Sequence, residues 1–288
     1  MLKVGSFEVQ SVVTGSVRLD GGAMFGVVPK VLWEKVTDVD NLNRILLATR
    51  ALLAVDREHG RVVLADTGCG TKWTAELAAR FGVHFDPDAI PNALKVMGLS
   101  AADVTDVVIT HLHFDHAGGM TYWYDEPDGP TRLYYPQARH WVHRAHWGHA
   151  NNPHHKDRAS FIAADFAGLE HGGNLTLVEG DGFLPAFDGV EWFVSHGHTP
   201  GQLHPVFGAG GERLVFAGDL CPTMAHLRLA WVMAYDMEPV STIREKETIL
   251  HRCIEDGWFL AFPHDPKVGG VALEGPVERP IVARALSL

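Results

Sequence analysis

The segment His111-Leu112-His113-Phe114-Asp115-His116 brings three imidazoles and a carboxylate into six consecutive residues. Imidazole and carboxylate together suit zinc and similar divalent ions, and four such groups on one short loop can serve two adjacent ions. A histidine-rich surface loop is the plain alternative, and the rest of the chain argues against it. Three more groups of the same kind recur downstream: His198 in Ser195-His196-Gly197-His198-Thr199-Pro200-Gly201, Asp219 after Phe216-Ala217-Gly218, and His264 in Pro263-His264-Asp265.

Something must carry these residues to one place, and short apolar runs precede them. Val62-Val63-Leu64-Ala65 leads to Asp66, Val107-Val108-Ile109-Thr110 to His111, and Trp192-Phe193-Val194 to His198. Leu214-Val215-Phe216 leads to Asp219, and Trp258-Phe259-Leu260-Ala261-Phe262 to His264. Each reads as a strand ending in a polar residue. In layered α/β architectures sites form where strand ends and their loops converge, so residues far apart in sequence can meet. Helical spacing places one helix over residues 71–81, with Trp73, Leu77, Ala78 and Phe81 on a face, and another over 241–256, with Ile243, Leu250, Cys253 and Ile254. Thr242-Ile243-Arg244-Glu245 reads as a capping box and Gly257 as the residue after the helix end. The first 50 residues read as strands and turns around Gly21-Gly22. Two central sheets with helices outside are expected.

A chain of 288 residues with 46% hydrophobic content can bury an ordinary core, and no repeat or linker divides it, so one domain over 1–288 is expected. Three scattered cysteines, Cys69, Cys221 and Cys253, form no Cys-x-x-Cys, which fits a reducing cytoplasm and gives no thiolate metal site. No segment reads as a signal peptide or a membrane span. A net charge of −11 without a basic cluster excludes the electrostatic footprint of a nucleic-acid binder and favours small neutral substrates.

The order His-x-His-x-Asp-His, Gly-His-Thr-Pro-Gly, Gly-Asp and a late histidine resembles the metallo-β-lactamase superfamily over essentially the whole chain. The resemblance implies an α+β fold, an αββα sandwich, and a dinuclear centre holding two divalent ions, zinc first, with Mn, Co or Fe as alternatives. It would assign His111, His113 and His198 to one ion, Asp115, His116 and His264 to the other, and Asp219 to both. Asp66 is similar to the carboxylate that orients a ligand histidine in this family; a turn-forming or helix-capping aspartate is the simpler reading. Gly118-Gly119 would allow close backbone approach or a plain turn.

Segment 20–30 with Met24 and Phe25, the ligand loop, and Trp231-Val232-Met233-Ala234-Tyr235-Asp236 resemble the branch containing N-acyl-homoserine lactonases and methyl parathion hydrolase-like enzymes. That likeness implies a hydrolase opening a lactone, with side activity on esters and phosphotriesters, Asp115 and Asp219 as the catalytic carboxylates, and a homodimer. Met24, Phe25, His226, Trp231 and Tyr235 would line the substrate pocket. The chain departs from the lactonase pattern in having no tyrosine in Leu220-Cys221-Pro222-Thr223, so an assisting phenol would come from Tyr235 or Tyr122. Gln202 also replaces the histidine that usually ends the Gly-His-Thr-Pro-Gly turn. The run His140, His143, His146, His149, His154 and His155 reads as a solvated helix or lid rather than a further metal site. The alternatives are a main activity on organophosphates or aryl esters, a single-iron persulfide dioxygenase, and a binding module without catalysis.

Overall fold

Strand Arg44–Asp56 alternates its side chains between two buried faces: Ala51, Leu53 and Val55 enter one core, Leu52 and Ala54 another. Arg61–Ala65 repeats the division, with Val62 and Leu64 opposed to Val63 and Ala65. A strand that is apolar on both faces has to be covered on both, which calls for a second sheet on one side and helices on the other. The computed structural model, which describes residues 1–170, 173–187 and 189–288, has this arrangement. One sheet runs in the order Leu2–Val4, Phe7–Asp20, Arg44–Asp56, Arg61–Ala65, Asp106–Val108, Arg139–His143, Leu175–Val178, with His84–Phe85 beside Phe7–Asp20. The other runs Gly182–Phe187, Val190–Ser195, Gln202–Ala209, Glu212–Phe216, Phe259–Ala261, Gly270–Glu274, Ile281–Ala285.

The sheets face each other across Phe7, Leu52, Val63 and Val108 from the first and Trp192, Leu203, Phe207, Phe216 and Ala261 from the second. Helices Ala89–Val96 and Arg144–Asn151 cover the outside of the first sheet through Ile90, Leu94, Trp147 and Ala150. Helix Pro239–Glu255 covers the second through Ile249, Leu250 and Cys253. The molecule is therefore the expected α+β, αββα sandwich. The ladder is parallel where Arg61–Ala65, Asp106–Val108 and Arg139–His143 lie side by side, and again between Glu212–Phe216 and Phe259–Ala261. Parallel neighbours end on the same side, so Asp66, the ligand loop, Asp219 and His264 all leave their strands toward one edge.

Three local expectations are corrected. The first helix is Ala75–Phe81, shorter than 71–81, because the Thr74 hydroxyl accepts the Leu77 N–H at 3.2 Å and so starts it. The last long helix begins at Pro239, a residue suited to a first turn because it has no N–H to leave unpaired, so Thr242 and Glu245 lie inside it and form no capping box. Gly257 does follow its end, at φ +70°. Gly21-Gly22 opens the short helix Gly21–Phe25 and is not a turn: Asp20 accepts the Ala23 N–H at 2.8 Å, and a Cβ on Gly21 would meet the Trp33 ring at 2.5 Å.

Lys246 sits on the buried face of the long helix, its ammonium donating to the carbonyls of Trp231 at 2.7 Å and Arg228 at 3.1 Å. Burial pushes its pKa down to about 8. The folded value lies below the unfolded one, so the folded state binds fewer protons between them and stability rises with pH over that window. The rise is expected to reach about 3 kcal/mol between about pH 8 and 10.4. Urea unfolding of wild type and Lys246→Met across that range reads it as a growing difference; a constant difference would contradict the assignment.

Candidate metal centre

Asp66 follows strand Arg61–Ala65 in the left-handed region at φ +59°, a conformation that aspartate tolerates and most residues resist. Its carboxylate is fully buried and accepts from the Thr110 amide at 2.8 Å, the Thr110 hydroxyl at 2.8 Å and His116 Nδ1 at 2.7 Å. It is neither a turn former nor a helix cap. The ligand loop then turns into the single helical turn Phe114–Ala117, whose carbonyl at His116 accepts the Thr67 amide at 2.8 Å. Gly118 and Gly119 permit this stacking, since Cβ atoms there would lie 2.1 Å from the Cys69 carbonyl and 2.2 Å from that of Thr67.

Seven side chains from four loops converge in two groups. His111, His113, His198 and Asp219 form one; Asp115, His116 and His264 form the other, with candidate ligand atoms within 4.8 Å in each. Asp219 stands between them. Its Oδ2 faces His198 Nε2 at 3.4 Å and His111 Nε2 at 3.9 Å, while Oδ1 faces His264 Nε2 at 3.0 Å and His116 Nε2 at 3.3 Å. Asp115 Oδ2 lies 3.6 Å from His264 Nε2.

The hydrogen bonds behind the rings test whether cations fit. His116 donates from Nδ1 to Asp66, and His264 donates from Nδ1 to the Ala48 carbonyl at 2.8 Å. Rings held this way can turn lone pairs inward at Nε2 once their protons are displaced, and those two atoms face each other 3.0 Å apart. His198 is held likewise through Nδ1 on Asp236 Oδ1 at 2.9 Å, with its Nε2 3.2 Å from His113 Nδ1. His111 Nε2, His113 Nε2 and Asp219 Oδ1 are buried without a hydrogen bond. Opposed lone pairs around a buried carboxylate are a donor set for divalent ions, and the residues fit two of them.

Electrostatics agree. Burial would raise the Asp219 carboxyl, but His264, His116 and His198 hold it well below the usual range. Burial lowers His111 and His113 well below theirs, helped by neighbouring imidazoles. Burial opposes protonation of His116 too, yet Asp219, Asp115 and Asp66 hold it well above. Metal binding must therefore displace protons from the second group.

A cavity of about 150 Å³ opens over both groups, its floor formed by His113, Asp115, His198, Asp219 and His264 and its wall by Leu19, Met24, Leu47, Phe81, Phe114, Met233 and Tyr235 with Lys156, Ala159 and Ser160. Of the residues expected in the pocket, Met24 and Tyr235 line it. The other three do not. Phe25 stacks between Trp33 and His226 with Trp231 edge-on, and Phe25 and Trp231 border a separate groove of about 640 Å³. His226 is buried, bonded to Met24 O at 2.8 Å and Thr223 Oγ1 at 2.7 Å. Tyr122 packs on Tyr134 in the hairpin Thr121–Trp123 with Thr131–Leu133 and takes no part in the cavity.

The histidine run is not a solvated helix: His140, His143 and His146 are buried, and His149 pairs with Asp157 at 2.6 Å. Among the described residues it forms no third ligand group. Sequence reasoning missed Asp236, which reaches His198 across 38 residues without a local mark. It misread Glu245, whose carboxylate accepts the His196 and Gly197 amides at 2.8 and 2.9 Å and so braces the His198 turn. Gln202, turned to suit its neighbours, puts its amide oxygen 3.2 Å from the Asp219 and Leu220 amides and so braces the backbone that carries Asp219.

A family model described as the metallo-beta-lactamase superfamily matches residues 48–266. The N-acyl homoserine lactonase AiiB of Agrobacterium fabrum is 31% identical over 128 residues, 41% of this chain and 43% of that protein, so the match spans less than half of the relative. A crystal structure described as a probable metal-dependent hydrolase from Staphylococcus aureus is 28% identical, with a TM-score of 0.85 over 99% of this chain and 100% of that one. AidC, described as a dizinc quorum-quenching lactonase in complex with a product, superposes with a TM-score of 0.79 over 100% of this chain and 97% of its own; at 18% identity this likeness is one of fold.

Proposed function

The chain belongs to the metallo-β-lactamase superfamily, and from that premise we propose that it is a hydrolase using two divalent ions to open lactones of the N-acyl-homoserine type. The observation that carries this reading is the pair of Asp219 oxygens, one turned to each ligand group. His111, His113 and His198 with Oδ2 would hold one ion, and Asp115, His116 and His264 with Oδ1 the other. When bound, the ions supply Lewis acidity at the carbonyl and a water acidified into the neutral range, which removes the need for a serine or cysteine nucleophile.

The chain's own residues account for the remaining steps. Asp66, Asp236 and the Ala48 carbonyl hold three ligand rings in one tautomer and orientation. Burial, with Asp20 and Asp115 nearby, pushes the Tyr235 phenol up to about 12, so it stays protonated and can donate to the carbonyl oxygen as charge gathers there. Asp115 on the cavity floor takes the proton of the attacking water and hands it to the departing ring oxygen as the C–O bond breaks. The apolar wall of Leu19, Met24, Leu47 and Met233 suits an acyl chain and keeps further water out.

Aryl esters and phosphotriesters ask for the same polarised oxygen and leaving group, so lower activity on both belongs to the proposal. Zinc is the proposed metal, with Mn, Co or Fe accepted by the same donors. The second group, complete with His264, favours two ions over the single iron of a persulfide dioxygenase. Three buried free thiols support a reducing, cytoplasmic setting, and among the described residues no helix is long and apolar enough to cross a membrane. A homodimer completes the proposal.

Purified protein is expected to carry about two zinc-like ions per chain and to turn over an acyl-homoserine lactone faster than an aryl acetate or paraoxon. Removing the ions with a chelator is expected to abolish turnover and lower stability by about 3–4 kcal/mol per ion where free metal had stood at 100 to 1,000 times its Kd. One iron per chain with oxygen uptake on glutathione persulfide would refute the reading.

A further inference from the structure

One member of the histidine run touches both loops that supply the first ligand group. His146, fully buried on helix Arg144–Asn151, has Nε2 2.7 Å from the Leu112 amide and Nδ1 3.1 Å from the Pro200 carbonyl. An amide can only donate and a carbonyl only accept, so the ring must carry its proton on Nδ1 and present a lone pair at Nε2. Leu112 lies between His111 and His113, and Pro200 lies two residues after His198. A single imidazole therefore spans the gap between the three histidines of that group.

The helix is seated so that the span is fixed. A Cβ on Gly201 would fall 2.3 Å from His143 Nδ1 and 3.1 Å from the His146 amide, so the Gly-His-Thr-Pro-Gly turn packs against the helix start with no side chain between. His143 caps that start, accepting the Ala145 amide at Nδ1 and donating from Nε2 to the Gly180 carbonyl at 3.0 Å. Phe161 closes the remaining side, its ring centroid 4.8 Å from His113 and 5.9 Å from His146. In the second group His116 rests on Asp66 and His264 on the Ala48 carbonyl, while Asp66 also reaches His111 through the Thr110 hydroxyl, 3.0 Å from His111 Nδ1.

We propose that His146 is a positioning residue of the first ion site, its two main-chain hydrogen bonds setting the distance between the His111–His113 loop and the His198 turn. This rests on the two-ion reading above. Both bonds go to backbone and the ring is none of the seven proposed ligands, so a substitution at 146 removes no ligand and acts through where the loops and the neighbouring His111 ring, 6.1 Å away between centroids, stand.

Cobalt titration, followed by visible absorption and by competition with a chromophoric chelator, tests it on wild type, His146→Ala and His146→Gln. His146→Ala is expected to weaken one of the two ion constants by about 10–100-fold and leave the other nearly unchanged. His146→Gln, whose amide oxygen reaches the place of Nε2, is expected to recover part of the loss. In ¹⁵N-labelled wild type the His146 ring is expected to show the Nδ1–H tautomer, a readout that needs no variant to fold. Unchanged constants, equal weakening of both, or an Nε2–H tautomer would overturn the inference while leaving the two-ion reading intact. A wild type that takes up fewer than two ions overturns both.

Discussion

Asp219→Ala is expected to lower lactone turnover by a factor of about a thousand or more, because several kcal/mol of metal-derived stabilisation at 1.36 kcal/mol per tenfold is lost with it. Among the described residues no other side chain turns one oxygen to each ligand group. Without the carboxylate, the Nε2 lone pairs of His116 and His264 still face each other at 3.0 Å, and the negative charge that lets two cations sit side by side is gone. Metal content should fall below two per chain while the far-ultraviolet dichroism stays native, since Asp219 holds together no part of either core. Asp219→Asn separates charge from shape. The amide keeps one acceptor oxygen but aims an N–H₂ at the other group, so it is expected to hold one ion better than the second. Turnover within tenfold of wild type in either variant would mean that the two groups do not share this residue.

Asp66→Ala is expected to cost about 3–5 kcal/mol of stability, the scale for removing one member of a buried, hydrogen-bonded charged pair. The Thr110 amide, the Thr110 hydroxyl and His116 Nδ1 all lose their acceptor inside the protein. Alanine must also occupy φ +59°, where its Cβ is less well accommodated than the short polar side chain of aspartate. Metal affinity should fall by about 10–100-fold, since the ring it orients is a proposed ligand. Asp66→Asn tolerates the backbone and keeps an acceptor, so it should retain most of the stability and lose mainly affinity. Urea unfolding and chelator competition on the two variants read these effects apart; a stable Asp66→Ala protein with wild-type metal affinity would contradict the role.

The ligand loop was legible because four of its groups fall within one short segment, and short-range chemistry needs no fold to be recognised. Asp66, His198, Asp219 and His264 were legible for another reason: each follows an apolar run that reads as a strand, and strand ends are where such groups are delivered. Helix starts were less so. Thr242 and Glu245 have the spacing of a capping box, yet Pro239 starts the helix one turn earlier and frees Glu245 to brace the His198 turn. Pocket residues were read from closeness to Asp219 for His226 and Trp231 and from the resemblance of segment 20–30 for Phe25, and neither signal placed them on the cavity, because a loop residue can as readily pack behind a cavity as face it.

By itself, then, the sequence determined the donor types, their order and the alternating strands that fill two cores, all of which are local properties of pattern and spacing. Only the tertiary structure decided which atom faces which: that Asp219 turns one oxygen to each group, that Asp236 rather than a nearer residue holds His198, and that His146 ties the Leu112 amide to the Pro200 carbonyl. Hydrogen bonds and ligand fields act over about 3 Å. Partners brought that close from distant parts of the chain leave no common mark in the order of residues.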